Sequence, residues 1–330
     1  MLTILVAGYK QVYIWIYRKD FLDLINMLTE KPFAPCDAIE IEIQEKFEYF
    51  IKRNTRRYLI VVMIAVVAMI LMSISSDLKE RNLTFKAWIP FDYSSPTVYF
   101  FVYTHQLIAM YDSAIVNVSS ESLLCGFLQH ICCQFEILGH RLTKVKDDQN
   151  LLGACISHHN RIFELDHLHD FVLKITFLFT LGLFFFLNIY TYCRYAYSVN
   201  DLFAKIIVAQ FPVSMLVVCS NLFRLAMVTD LVSAFALVMY TNVMLVQIFN
   251  YCWFGNKVKL QSAELINSIF NIDWPDLNNS NKKDLLLMMK RTMSPIEFTA
   301  AYIISMNLES FVALLKMSYS VFNLLHQTQE

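Results

Sequence analysis

Apolar side chains fall along this chain in long blocks, with the charged positions gathered between them. Runs without a charged residue cover Tyr58–Ser76, Ile175–Cys193, Ile206–Phe223 and Leu231–Gly255. Each reaches or exceeds about 18 residues, the length that marks a helix able to cross a bilayer. Tyr93–Tyr111 and Phe298–Leu315 are weaker candidates, the second broken by Glu309. The pattern predicts an all-α fold, a polytopic bundle of membrane helices.

The opening, MLTILVAGYKQVYIWIYRKD, has no basic leader and no small-residue cleavage site, so it does not read as a signal peptide. It reads as the tail of a truncated span. Leu2–Ala7 lie in lipid, Tyr9, Tyr13, Trp15 and Tyr17 form an interfacial belt, and Lys10, Arg18 and Lys19 lie beyond it. The alternative is an amphipathic helix lying on the membrane surface.

Charge sorts the segments by side, because basic residues accumulate in cytosolic loops. Lys10–Arg57 carries nine Lys/Arg, ending in Lys52, Arg53, Arg56 and Arg57 just before the first complete run. Asp77–Pro96 carries three, together with the sequon Asn82-Leu83-Thr84, which works only outside and makes Asn82 the candidate glycosylation site. The expected layout is a single membrane domain over 1–330. A span tail at 1–17 leads into a cytosolic loop at 18–57, a span at 58–76 and an extracellular loop at 77–96. A span at 97–116 continues as cytosolic helices 117–164, and spans follow at 200–227 and 231–255. A cytosolic loop at 256–295 precedes a last span at 296–326.

That layout leaves out one apolar run. Three runs lie between the basic segments 117–164 and 256–295, and three crossings would put the second segment outside. Two crossings keep both inside. The odd one is ITFLFTLGLFFFLNIYTYC, built almost wholly from Phe, Leu, Ile, Thr and Tyr, as translated A/T-rich noncoding DNA would be. We read 165–194 as an insert of that origin, with a re-entrant hairpin as the alternative.

Composition narrows the function classes. The chain is 57 % apolar and 17 % charged with net charge −1, which gives no basic footprint for nucleic acid. No P-loop, GxSxG or HExxH pattern occurs, so no enzyme and no cofactor are expected. His158, His159, His167 and His169 lie near Glu164, Asp166 and Asp170, but the spacing lacks a repeated one-turn register. They read as cytosolic loop histidines rather than metal ligands. The expected outside loop holds no cysteine, so no disulfide framework is predicted.

The last segment carries a polar stripe. Glu309, Ala313, Lys316, Ser320, Asn323 and Gln327 recur at steps of three and four and share one helix face. Such a stripe persists in lipid only against water or protein. It either lines a water-filled path or packs through hydrogen bonds on other helices, and spacing alone leaves both open. A small apolar ligand would find adaptable liners in Val67, Met69, Ile70, Met72 and Ser73, in Phe101, Tyr103 and Thr104, and in Phe235, Met239 and Tyr240. Ordinary helix packing is the alternative for each.

FTAAYIISMNLESFVALLKMSYSVFNLL at the C-terminal end resembles the signature of insect odorant receptors. QIFNYCWFGNKVKLQS (247–262) with Trp274 beyond it, LTFKAWIPFDYSSP (83–96) and FLQHICCQFEILGHRL (127–142) resemble further stretches of that family. The resemblance spans nearly the whole chain outside the insert. It implies a seven-helix subunit with a cytosolic N-terminus in the plasma membrane of olfactory sensory neurons. Such a subunit works as an odorant-gated, non-selective cation channel, tetrameric with an odorant co-receptor and opened by a small volatile ligand. It implies that Lys316, Ser320, Asn323, Leu324 and Gln327 line the pore, with Leu324 and Leu325 near an apolar gate. Two departures accompany it: the first helix and most of the second are missing, and the insert splits what the family has as one helix. A G-protein-coupled chemoreceptor and a non-functional receptor fragment are the alternative readings.

Overall fold

The computed structural model of the protein describes residues 2–75, 81–85, 89–146, 151–163, 195–228, 230–275, 277, 279–300 and 304–327. The expected insert, 165–194, lies outside the described residues. Within them the helices are α1 (Leu2–Ile16), α2 (Arg18–Met27), α3 (Ala38–Ser75), α4 (Pro96–Thr143) and α5 (Leu151–Phe163). After these come α6 (Tyr195–Met227), α7 (Leu231–Phe270), α8 (Asn279–Thr292) and α9 (Leu308–Gln327). A two-stranded ladder, β1 (Thr299–Ala300) and β2 (Ile304–Ser305), precedes α9. The fold is all-α, and α3, α4, α6 and α7 are long and apolar enough to cross a membrane.

Local chemistry sets the helix ends. Asp37 caps α3: the Glu40 N–H donates to Asp37 Oδ1 at 2.9 Å, and Glu40 Oε2 accepts from the Cys36 N–H at 2.7 Å. This is a near-reciprocal capping box. Pro96 follows Ser95 into the first turn of α4, where its missing N–H costs nothing. Asp230 caps α7 by accepting from the Ser233 N–H at 2.9 Å, and Trp274 Nε1 donates to Ile269 O at 3.2 Å where α7 ends.

The long helices outrun the bilayer. α4 has 48 residues, about 72 Å at 1.5 Å per residue, against roughly 30 Å of hydrocarbon. Its two halves therefore serve two cores. Tyr58, Val62, Ala65, Val66, Met110, Val118, Val218, Val243 and Met244 pack together in the apolar half. Leu124–Leu142 of α4 enters a larger core with α2, α5, α8 and parts of α6 and α7. The expected loops 18–57 and 256–295 are thus largely helical, since α3 and α7 continue into them as packed elements.

Arg141 ties the second core together. Its guanidinium grips Glu40 with two hydrogen bonds of 2.9 and 2.7 Å and donates to Pro32 O at 2.6 Å and Ala34 O at 3.0 Å. It also lies 3.1 Å from His158 Nδ1, and His158 Nε2 lies 3.0 Å from Gln134 Oε1. Arginine can only donate, so Nδ1 accepts and the ring proton sits on Nε2. His158 and His159 are therefore not loop residues: both are buried on α5.

The last span also differs from expectation. A helix starts at Leu308 and not near 296, because backbone donors before it are taken by other elements. Ser262 Oγ accepts from the Ile296 N–H at 3.0 Å, and Asn200 Oδ1 accepts from the Thr299 N–H at 3.1 Å. The ladder pairs Thr299 with Ser305, and Asn307 Oδ1 then caps α9 from the Ser310 N–H at 2.8 Å.

Candidate functional site

One face of each apolar helix is built from small and medium side chains at helical spacing. Val62, Ala65, Val66, Met69 and Met72 of α3 share a side, as do Met110, Ser113, Ala114 and Asn117 of α4. Ala236, Tyr240, Val243, Met244 and Gln247 repeat the pattern on α7. These faces, with Val217 and Asn221 of α6 and Leu2–Ile4 of α1, enclose a cavity of about 630 Å³. Its lining is mainly apolar. Tyr240 Oη lies 3.0 Å from Thr3 Oγ1, which fixes the phenol at the wall.

At Asn117 and Gln247 the lining turns polar. Lys10 of α1 is fully buried, with Nζ 2.6 Å from Glu121 Oε1 and 3.0 Å from Asn117 Oδ1. Gln247 Nε2 donates to the same Glu121 oxygen. Lys10, expected beyond the interfacial belt with Arg18 and Lys19, is instead the counter-ion of a carboxylate inside the bundle. A buried charge needs such a partner, because its desolvation penalty is otherwise several kcal/mol. On the far side of Glu121 lies a second cavity, of about 430 Å³, and Tyr58 lines both.

α9 packs on α6 and α7 through one face only. Leu314 and Ser318 are buried, Cys219 Sγ lies 3.8 Å from Ser318 O, and Phe311 meets Phe249 edge-on at 5.5 Å. The opposite face carries the stripe. Glu309, Ala313, Lys316, Ser320 and Gln327 are exposed, Asn323 is half-buried, and Val312, Met317, Tyr319 and Leu324 flank them exposed as well. The stripe does not pack against the described helices of its own chain.

A family model described as "7tm Odorant receptor" matches residues 1–319. The chain belongs to the odorant receptor family. Among curated relatives, odorant receptor 94a of Drosophila melanogaster is 24 % identical over 257 residues, 75 % of this chain and 59 % of its own length. Odorant receptor 59a of the same species is 25 % identical, covering 75 % and 61 %, and isoform A of odorant receptor 46a is 26 % identical, covering 92 % and 74 %. The chain thus spans about three fifths of the length of the first two relatives. The solved structure of the insect olfactory receptor OR5 from Machilis hrabei in complex with eugenol has the same fold. Its TM-score is 0.78 at 16 % identity, covering 99 % of this chain and 79 % of that one. This odorant receptor is a multi-pass membrane protein of a receptor class.

In this receptor the residues expected to meet a ligand are divided. Met69 and Met72 line the cavity. Ser73 and Tyr103 sit together beside it, with hydroxyls 3.0 Å apart, and Ser73 Oγ is 2.7 Å from Thr84 Oγ1. Phe101 and Phe235 are 72 % and 58 % exposed on the outer face. Thr104 and Met239 are half-buried and outside the lining. Asn82 is exposed in the connection from α3 to α4, where its carbonyl accepts from Tyr99 Oη at 2.9 Å. Tyr240, expected beside Phe235 and Met239, does line it, whereas Val62, Ala114, Ala236 and Gln247 were not anticipated as liners. Their common i, i+3, i+4, i+7 register was the signal available for finding them.

Proposed function

We propose that this chain is an odorant receptor subunit of an odorant-gated, non-selective cation channel, assembled with an odorant co-receptor. The observation that carries the reading is the stripe on α9. Its polar side chains turn away from the chain's own helices, so a wet path shared with neighbouring subunits accounts for them at the least cost. The cavity between α1, α3, α4, α6 and α7 is the site for a small apolar odorant; about 630 Å³ lies within the usual range for ligand pockets. The Machilis receptor of the same fold was solved with eugenol, a small aromatic molecule, and supports that ligand class.

Patch-clamp recording of the chain expressed with a co-receptor tests this. Lys316→Leu and Asn323→Leu are expected to change unitary conductance by roughly a factor of two or more, while the rank order of active odorants stays as it was. Currents unaltered by both substitutions would remove α9 from the pore.

A further inference from the structure

The second cavity lies where α3, α4 and α7 leave the apolar half of the bundle. Arg53 and Arg57 stand one turn apart immediately before the apolar run of α3, and Lys257 reaches the same space from α7. None of the three has a carboxylate partner among the described residues, and Arg53 Nε is buried with no hydrogen bond. Aromatic rings hold two of these cations in place. The Arg53 guanidinium lies 4.7 Å from the centroid of Phe50 and 5.5 Å from that of Tyr49, and Lys257 Nζ is 5.6 Å from that of Phe47. The one acidic liner, Glu121, is already met by Lys10 and Gln247. Net positive charge therefore faces about 430 Å³ of space.

The rim has a different character. Trp253 and Phe249 of α7 line the cavity and are also exposed at the bundle surface, 48 % and 37 %, with their rings 5.6 Å apart. Tryptophan beside arginine, at the end of an apolar run, marks the depth where headgroups sit. Basic pockets between membrane helices recognise acidic headgroups there.

We propose that this cavity is a binding site for an anionic phospholipid. The phosphate engages Arg53, Arg57 and Lys257, and the acyl chains leave over Trp253 and Phe249. Because arginine matches phosphate with two parallel donors, Arg53 is the principal contact. The Glu121–Lys10 pair separates this site from the apolar cavity, and Tyr58 touches both, so lipid occupancy borders the proposed odorant site directly.

Native mass spectrometry of the purified full chain tests the site, and it reads binding without current, so its failure leaves the channel reading untouched. Titration with dioleoyl phosphatidylglycerol is expected to retain one tightly held lipid, and dioleoyl phosphatidylcholine is not. Arg53→Gln with Lys257→Gln should weaken retention about tenfold, while Arg53→Lys, which keeps the charge but loses the paired donors, weakens it less and shows that the fold survives. Arg18→Gln with Lys19→Gln, basic positions outside the cavity, should leave retention unchanged. Equal retention of both lipids, or undiminished binding by the Arg53/Lys257 variant, overturns the proposal. Displacement of the lipid by millimolar glycerol 3-phosphate would overturn the lipid as the source of the phosphate.

Discussion

Lys10 shows how far one residue's role depends on its surroundings. In sequence it sits between Tyr9 and Tyr13 like any interfacial lysine; in the fold it is the counter-ion of Glu121. Lys10→Met leaves that carboxylate uncompensated and is expected to cost about 3–5 kcal/mol, seen as a lowered melting temperature of the purified protein. The double variant Lys10→Met with Glu121→Leu should recover most of the loss. His158 and His159 carry a pH dependence. Burial, with Arg141 beside the first and Arg291 near the second, holds their pKa values down at about 3 and about 4. Both are neutral when folded, whereas the unfolded chain takes up protons below about 6.5. Their contribution is therefore intact above that pH and is lost progressively as pH falls from about 6.5 toward 4 for His159 and toward 3 for His158. A melting series across that window should slope downward, and His158→Gln should flatten it.

Among the elements, α9 is entered through a close backbone contact. The ladder leading into it presses Met306 against Gly255 of α7, and a Cβ at Gly255 would lie 2.7 Å from Met306 Cβ, with the Met306 carbonyl nearer still. Backbone cannot swing aside as a side chain can. Gly255→Ala is therefore expected to destabilise the protein by about 1–3 kcal/mol and to loosen α9, measured as faster hydrogen exchange over 298–315. Gly139→Ala, which meets only the Ser268 side chain at 3.3 Å, should be milder. The stripe itself was legible from its three-and-four spacing. Which way it points was not, since spacing defines a face without saying what lies opposite.

For the molecule as a whole, the cavity is where packing and proposed function meet. Ala114→Phe adds a ring where a methyl now borders the space, and should abolish odorant-evoked current without reducing surface expression. Phe101→Ala, on the outer face, should leave the response unaltered; calcium imaging with a co-receptor compares the two. The division of the expected liners has a physical cause. Met69 and Met72 share the α3 face that turns inward, whereas Phe101 and Phe235 lie on faces turned outward. In lipid both kinds of surface are apolar, so hydrophobicity cannot tell an inner face from an outer one.

By itself the sequence determined the membrane class, the approximate positions of the apolar helices and the existence of the polar stripe. These follow from run length and periodicity, because backbone groups in hydrocarbon must be satisfied within a helix. Family membership was legible from motifs, and the family match over 1–319 establishes it. Tertiary structure alone decided that the basic segments fold as continuations of α3 and α7, that Lys10 and Arg141 are bound inside, and that small residues on three helices leave a cavity. Those outcomes depend on which faces meet across more than 100 residues of chain, as Lys10 meets Glu121 and Arg141 meets Glu40 at separations of 111 and 101 residues. Such contacts are settled by packing and charge compensation, to which local periodicity is blind.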